Sequence, residues 1–184
     1  MSAPPEIDPR DLQQARRGDP RAFGVLIRHY DEGLRALAYR LLGDRDRMDD
    51  ALQEAYVRAF RALPRFRGDA SPGTWLYRIA YNACVDELRR DRRVVPLDAV
   101  RERSDPRPGA DEAVPARRQL AEALAALGPE DRAAVLLVDA QGFDYRSAAE
   151  ILGIPEGTVA SRLNRARAAL RRFLDDRLQG ASAR

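Results

Sequence analysis

The sequence predicts an all-α protein of two small helical domains joined by a flexible linker, and three observations predict it. Apolar residues recur at three- and four-residue spacing along most of the chain. No strand-like alternation persists long enough to matter. Residues 94–115 interleave Pro96, Pro106, Pro108 and Pro115 with charges and keep no period, which reads as a tether between two helical stretches. With 184 residues and a 45% hydrophobic fraction, the chain can build one ordinary core or two small ones.

Residues 1–9, rich in Pro and acid, read as a disordered N-terminus. Asp19-Pro20 is a good N-cap and first-turn pair, after which Phe23, Leu26, Ile27, Tyr30, Leu34, Leu37, Ala38 and Leu41 keep helical spacing until Gly43. A second helix begins near Asp46 and sets Met48, Leu52, Ala55, Tyr56, Ala59, Phe60 and Leu63 on one face before Pro64 stops it. Its other face is charged, with Asp49, Asp50, Gln53, Glu54, Arg58 and Arg61. The loop PRFRGDASPG leads to a third helix from Ser71-Pro72, bearing Trp75, Leu76, Ile79, Ala80, Ala83, Cys84 and Leu88 and ending in RRDRR. Three amphipathic helices with short connections make a bundle, so residues 10–93 form the first domain. The helical pattern returns at about residue 116, breaks at Gly128-Pro129 and Gly142, and ends in two short helices around Gly153. Residues 116–176 are thus the second domain and 177–184 a tail.

All 32 basic side chains are arginine, planar and permanently charged, against 29 acids. A GC-rich genome would favour arginine codons without any functional cause, so position must decide. Cys84 and His29 are the sole cysteine and histidine, which leaves no intramolecular disulfide and no Cys/His zinc cluster. No metal and no cofactor are expected. The start, MSAPPEIDPR, lacks a basic n-region followed by an apolar core, and no apolar run approaches the roughly 18 residues of a membrane span. A cytoplasmic protein without stable membrane insertion is the expectation. An enzyme is not expected either. GDASPGT at 68–74 has the glycine spacing of a P-loop, but its lysine is missing and no strand precedes it. His29 has no evident nucleophile partner, and Cys84 has the apolar neighbours of a core residue.

The stretch DYRSAAEILGIPEGTVASRLNRARAALRRF has the residue types of a helix-turn-helix: small Ala149 where two helices cross, Gly153 for the turn, and Ile154, Val159 and Leu163 as anchors. With about 100° per residue, Leu163, Ala166 and Leu170 fall within about 40° of Val159 and form the buried stripe. Gly157, Ser161, Asn164, Arg165 and Ala168 point the other way. Ser, Asn and Arg can hydrogen-bond base edges, and Arg165 can bracket a guanine. Arg162 and Arg167 flank the stripe, where a helix in a major groove meets phosphates. Between residues 144 and 172 six arginines face three acids. The plainer reading is a helical hairpin with a solvated arginine face.

In the first domain, FRGDASPGTWLYRIAYNACVDELRRDRR sets Phe66, Trp75, Tyr77 and Tyr81 among Arg67, Arg78, Arg89, Arg90, Arg92 and Arg93. Rings accept unstacked bases while guanidinium groups hold the backbone, an arrangement suited to single-stranded nucleic acid. Trp75 taken alone would read as core.

These residues carry a resemblance. DDALQEAYVRAF at 49–60, FRGDASPGTWLYRIAYNACVDELRR at 66–90 and YRSAAEILGIPEGTVASRLNRARAALR at 145–171 closely resemble the extracytoplasmic-function (group 4) sigma factors of the sigma-70 family of bacterial RNA polymerase. The resemblance implies an alternative sigma factor that binds core polymerase and directs promoter-specific transcription initiation. It makes 10–93 region 2 and 116–176 region 4. Asp50, Gln53, Glu54 and Arg58 would dock on the clamp helices of the largest polymerase subunit, and the second-largest subunit's flap would be a further contact. Phe66, Arg67, Ser71, Thr74, Trp75, Tyr77, Arg78, Tyr81 and Asn82 would melt and capture the minus-ten element. Arg146, Thr158, Ser161, Arg162, Asn164, Arg165 and Arg167 would read the minus-thirty-five element as duplex. An anti-sigma partner is implied as well. Pro72-Gly73, Tyr81 and Ala160 stand where relatives often have bulky or basic residues, which bears on the promoter letters rather than the class. The competing reading is a stand-alone helix-turn-helix transcriptional regulator.

Overall fold

Four aspartates begin helices, each by accepting backbone N–H groups that a first turn leaves without partners. The structure, a computed structural model, describes residues 7–94 and 115–182. Asp8 accepts from Arg10 N at 2.8 Å and starts α1 (Pro9–Arg16). Asp19 accepts from Arg21 N and Ala22 N at the head of α2 (Pro20–Leu42), which Gly43 ends with a left-handed φ of 72°. Asp44 caps α3 (Arg45–Ala62), a 3-10 turn follows at Leu63–Arg65, and α4 is Pro72–Val94. The second domain holds α5 (Pro115–Ala126), α6 (Pro129–Val135), a π turn (Leu136–Ala140), α7 (Tyr145–Leu152) and α8 (Glu156–Ser182). Among the described residues there is no strand, as the all-α expectation required.

Three local expectations need correction. Residues 7–9 are not disordered: Ile7 is buried in the core and Asp8-Pro9 is a working cap and first turn, so the Pro-acid composition begins a helix. Residues 1–6 lie outside the described residues, as does the linker over 95–114. α1 escapes the apolar pattern because little besides Ala15 and half-buried Leu12 faces inward. The tail is helical as far as Ser182, so the last helix is 27 residues long rather than short.

α2, α3 and α4 pack around Leu26, Leu34, Leu37, Leu52, Leu63 and Leu76. Ala51, Ala55 and Ala59 are buried on α3, Ala80, Ala83 and Cys84 are buried on α4, and the two helices pack together. In the second domain α6 packs against α8, and Ala133, Ala134, Val159, Leu163 and Ala166 are fully buried. Each fully buried Leu or Val contributes about 1.5–3 kcal/mol.

The two domains are packed against each other. Tyr77 of α4, 1% exposed, donates its hydroxyl hydrogen to Gln141 Oε1 at 2.9 Å and sets its ring edge against Phe143, centroids 4.8 Å apart. The π turn, closed by Gln141 N to Leu136 O at 3.0 Å, immediately precedes these two residues. Arg132 of α6 donates to the carbonyls of Arg40 and Leu41 at the C-terminal end of α2, at 3.2 and 3.4 Å, and also to those of Ala125 and Leu127. Gly33 lies beneath the junction, where a Cβ would overlap both the Tyr77 hydroxyl and the Gln141 amide.

Gly33→Ala is therefore expected to separate the domains with their helices intact. A fluorescence-transfer pair carried on α1 and α7 should lose efficiency while the far-ultraviolet dichroism stays within error; unchanged transfer would show that the junction absorbs the methyl.

Candidate nucleic-acid interface

The turn between α7 and α8 is set by Gly153, whose φ of 67° is left-handed and which donates to Ala149 O as α7 ends. Ile154 N donates to the same carbonyl at 3.1 Å, fixing the chain's exit from α7. At the start of α7, Asp144 accepts from Ser147 N at 2.7 Å, and hydrogen bonds from the Ser147 backbone and hydroxyl hold its carboxyl below the usual aspartate range. Val159, Leu163 and Ala166 have no exposed surface, so the stripe read from the sequence is the buried one. Leu170 is half-buried against the same core.

The outward face of α8 is the reverse of that stripe. Gly157, Ser161, Asn164 and Arg165 are exposed, Thr158 is half-buried, and the Ser161 hydroxyl donates to Thr158 O at 2.9 Å. The arginines of this region carry carboxylate partners that the sequence did not disclose. Arg165 donates Nη2 and Nε to Asp131 at 2.9 and 3.3 Å; Arg167 donates the same two nitrogens to Asp139 at 2.6 and 3.0 Å. The adjacent carboxylates raise both guanidinium pKa values above the ordinary arginine range. Arg162 pairs with Glu130, and Arg146 with Glu150 one turn away. Tyr81 of the first domain lies within the field of the Arg162–Glu130 pair; burial raises its pKa, opposed by Arg162 and reinforced by Glu130.

The first-domain residues divide. Arg67, Ser71, Arg78 and Asn82 are exposed, and Trp75 and Tyr81 are half-buried. Phe66 is buried with its ring 5.2 Å from that of Trp75, so the tryptophan is partly core and partly surface. Ser71 Oγ accepts from Thr74 N at 3.0 Å and donates to Thr74 Oγ1 at 2.9 Å, which turns both residues into the cap of α4. Thr74 and Tyr77 are 4% and 1% exposed, so in this arrangement neither meets solvent. The physical reason for Tyr77 is the junction with Gln141 and Phe143; its burial also pushes the phenol pKa upward.

On α3, Asp50 and Gln53 are exposed, whereas Glu54 and Arg58 belong to an ion network. Arg58 reaches Glu54 at 2.6 Å and Asp86 at 2.9 Å, and Arg90 reaches Glu54 at 3.3 Å and Glu87 at 3.6 Å. The Arg58 hydrogen bond holds the Glu54 carboxyl below its usual range. Beside this network lies a groove of about 520 Å³ between α2 and α3, its floor formed by Phe23, Leu52, Tyr56, Val57 and Phe60 and its rim by Arg35, Asp49, Gln53 and Arg61. Sequence reasoning missed it, because helical spacing put Phe60 on the buried face. Phe60 is 38% and Val57 45% exposed, with Phe60 resting edge-on against Phe23 at 5.1 Å. The available signal was Val57, an apolar residue on the charged face of α3.

Cys84 is buried in the core, and burial pushes its thiol up to about 12, which leaves little nucleophilic thiolate. Among the described residues no three His, Cys, Asp or Glu side chains are grouped to hold a metal ion, and no helix is long and apolar enough to cross a membrane.

A two-domain all-α chain with a helix-turn-helix in its second domain is the class that these features define. Comparison with known proteins identifies the family. The profile for Sigma-70 region 2 matches residues 26–94, and that for Sigma-70, region 4 matches residues 117–170. The chain is 42% identical over 159 residues to the ECF RNA polymerase sigma factor SigM of Mycobacterium tuberculosis, covering 85% of this chain and 79% of that protein. It is 35% identical to the RNA polymerase sigma-H factor of Pseudomonas aeruginosa, covering 96% and 98% of the two chains. Among solved structures, CnrH in complex with the cytosolic domain of CnrY superposes with a TM-score of 0.69 at 28% identity, over 91% of this chain and 96% of that one. RpoE from Bartonella quintana, in complex with the anti-sigma factor NepR, gives 0.68 at 27% identity, over 83% and 96%. The chain belongs to the extracytoplasmic-function group of the sigma-70 family of RNA polymerase sigma factors. It is a transcription initiation factor that directs RNA polymerase.

Asp144→Ala is expected to cost about 1 kcal/mol at neutral pH through the lost cap of α7. Because the folded-state pKa of Asp144 is depressed, the wild-type advantage is full above the ordinary aspartate value of 3.8 and disappears as pH falls through the lower folded value. Urea denaturation of both proteins at pH 7 and below pH 3.8 measures this; a gap that does not narrow in acid contradicts it.

Proposed function

We propose that α8 reads the minus-thirty-five element as a major-groove duplex, while the Phe66–Thr74 loop and the exposed side of α4 melt and capture the minus-ten element. The observation that carries this reading is the division of α8 into a fully buried Val159–Leu163–Ala166 stripe and an outward face of Ser161, Asn164 and Arg165. Base capture needs no nucleotide hydrolysis. Extruding a base costs a few kcal/mol, which a site for the flipped base and its backbone offsets. Half-buried Trp75 and Tyr81 next to exposed Arg67, Arg78 and Asn82 are the groups suited to that task.

The groove between α2 and α3, with Asp50 and Gln53 beside it, is the docking surface for the clamp helices of core polymerase. An apolar floor with a charged rim suits the side of another helix. The second domain takes the polymerase flap. The closed packing of the two domains keeps Tyr77 covered, so full engagement of the minus-ten element includes separation at the Tyr77–Gln141 contact. Two sites of modest strength then gain from their tether across one promoter. CnrH and RpoE were solved bound to CnrY and the anti-sigma factor NepR, which supports a partner of the same kind for this chain in the cytoplasm.

Added to purified core polymerase, the protein should produce transcripts from defined start sites, and holoenzyme should bind promoter DNA far more tightly than free factor. Start-site selection would be absent for a stand-alone regulator. Val57→Asp, at a 45% exposed position, should weaken core binding about tenfold or more in a fluorescence titration and leave the helical content unchanged; unaltered affinity would remove the groove from the interface.

A further inference from the structure

Building on α8 as the recognition helix, and resting on that reading, we propose that Asp131 is a positioning and specificity-determining residue: it fixes the guanidinium of Arg165 so that its outer edge is presented to a guanine. A guanidinium has five N–H donors in one plane. Asp131 accepts from Nε and Nη2, at 3.3 and 2.9 Å, and thereby occupies the inner edge. The Nη1 hydrogens and the second Nη2 hydrogen are left along the outer edge, whose paired donors match guanine O6 and N7.

The geometry of the pair is set by the fold. Asp131 stands on α6 and Arg165 on α8, and these helices pack together, with Ala133, Ala134, Val159, Leu163 and Ala166 fully buried. The Arg165 side chain is 61% exposed, and a surface ion pair of this kind adds little to stability. Its consequence is orientation: an arginine already held in one rotamer loses less entropy on binding, and it is kept from swinging to a neighbouring phosphate. The carboxylate also repels the DNA backbone at every sequence alike, lowering non-specific affinity. Both effects raise the ratio of specific to non-specific binding. Asp139 holds Arg167 through the same two nitrogens, but Arg167 flanks the stripe on the phosphate side. There a fixed orientation carries no base information, so the second pair is an internal control.

The test uses the full chain assembled with core polymerase, selecting from promoter duplexes randomised across the upstream element at two salt concentrations. Arg165→Ala should abolish a guanine preference at one position; if its base profile equals that of the wild type, the recognition-helix reading itself fails. Asp131→Asn should cut that preference about fivefold, raise affinity for non-promoter DNA about two- to fivefold and steepen the salt dependence. Asp131→Glu, which keeps the charge, should recover part of the preference. Asp139→Asn should shift affinity for all sequences together. If Asp131→Asn leaves the guanine preference unchanged, or weakens promoter and non-promoter DNA equally, Asp131 is no specificity determinant and the proposal is overturned, with the role of Arg165 left standing.

Discussion

A helix offers one face to a partner only when its opposite face is fixed, and in this chain small residues do the fixing. Ala51, Ala55 and Ala59 are buried on α3 and Ala80, Ala83 and Cys84 on α4, and Ala133 and Ala134 are buried on α6 and Ala166 on α8, in helix pairs that pack together. Seams of this kind allow close approach and leave little room for rotation about the helix axis. The candidate faces use the surface that this packing leaves exposed. The apolar groove lies on the side of α3 toward α2, the ion network of Glu54 and Arg58 bridges α3 to Asp86 and Arg90 of α4, and Ser161, Asn164 and Arg165 lie on the exposed side of α8.

The junction between the domains obeys different chemistry. It combines one phenol–amide hydrogen bond, one edge-to-face aromatic pair and one arginine on the carbonyls at the end of α2 with an apolar core that runs through both domains. Gly33 makes the approach possible because any side chain there would occupy the space of the Tyr77 hydroxyl. The same tyrosine holds the junction and lies on α4 between half-buried Trp75 and Tyr81, so on the proposed reading domain separation and promoter engagement are coupled.

Charge also changes meaning between sequence and structure. A local excess of arginine around α8 reads as a uniform basic patch, yet the folded helix carries Arg162, Arg165 and Arg167 each against a carboxylate from α6 or the π turn. Their positive field is reduced and their directions are fixed. On the proposed reading of α8, affinity for the phosphate backbone is exchanged for geometry at base edges, which suits a factor that takes much of its hold on DNA from the polymerase.

The sequence by itself determined the helical class, the division into two domains, the core stripe of α8 and the turn at Gly153, because these depend on local periodicity and on single residues with restricted backbone preference. It also placed Cys84 in the core from its apolar neighbours. It did not show α1, whose short polar stretch buries little, nor the helical continuation to Ser182. It assigned Phe60 to the interior, since spacing tells which side of a helix is apolar and not whether a neighbour covers it. Only the tertiary structure decided that Tyr77 is engaged by Gln141 and Phe143, that Val57 and Phe60 open a groove, and that Asp131 and Asp139 clasp Arg165 and Arg167. The partners in the Tyr77–Gln141, Arg165–Asp131 and Arg167–Asp139 hydrogen bonds are 64, 34 and 28 residues apart, and no periodicity along a chain encodes which distant side chains two packed helices will bring within reach.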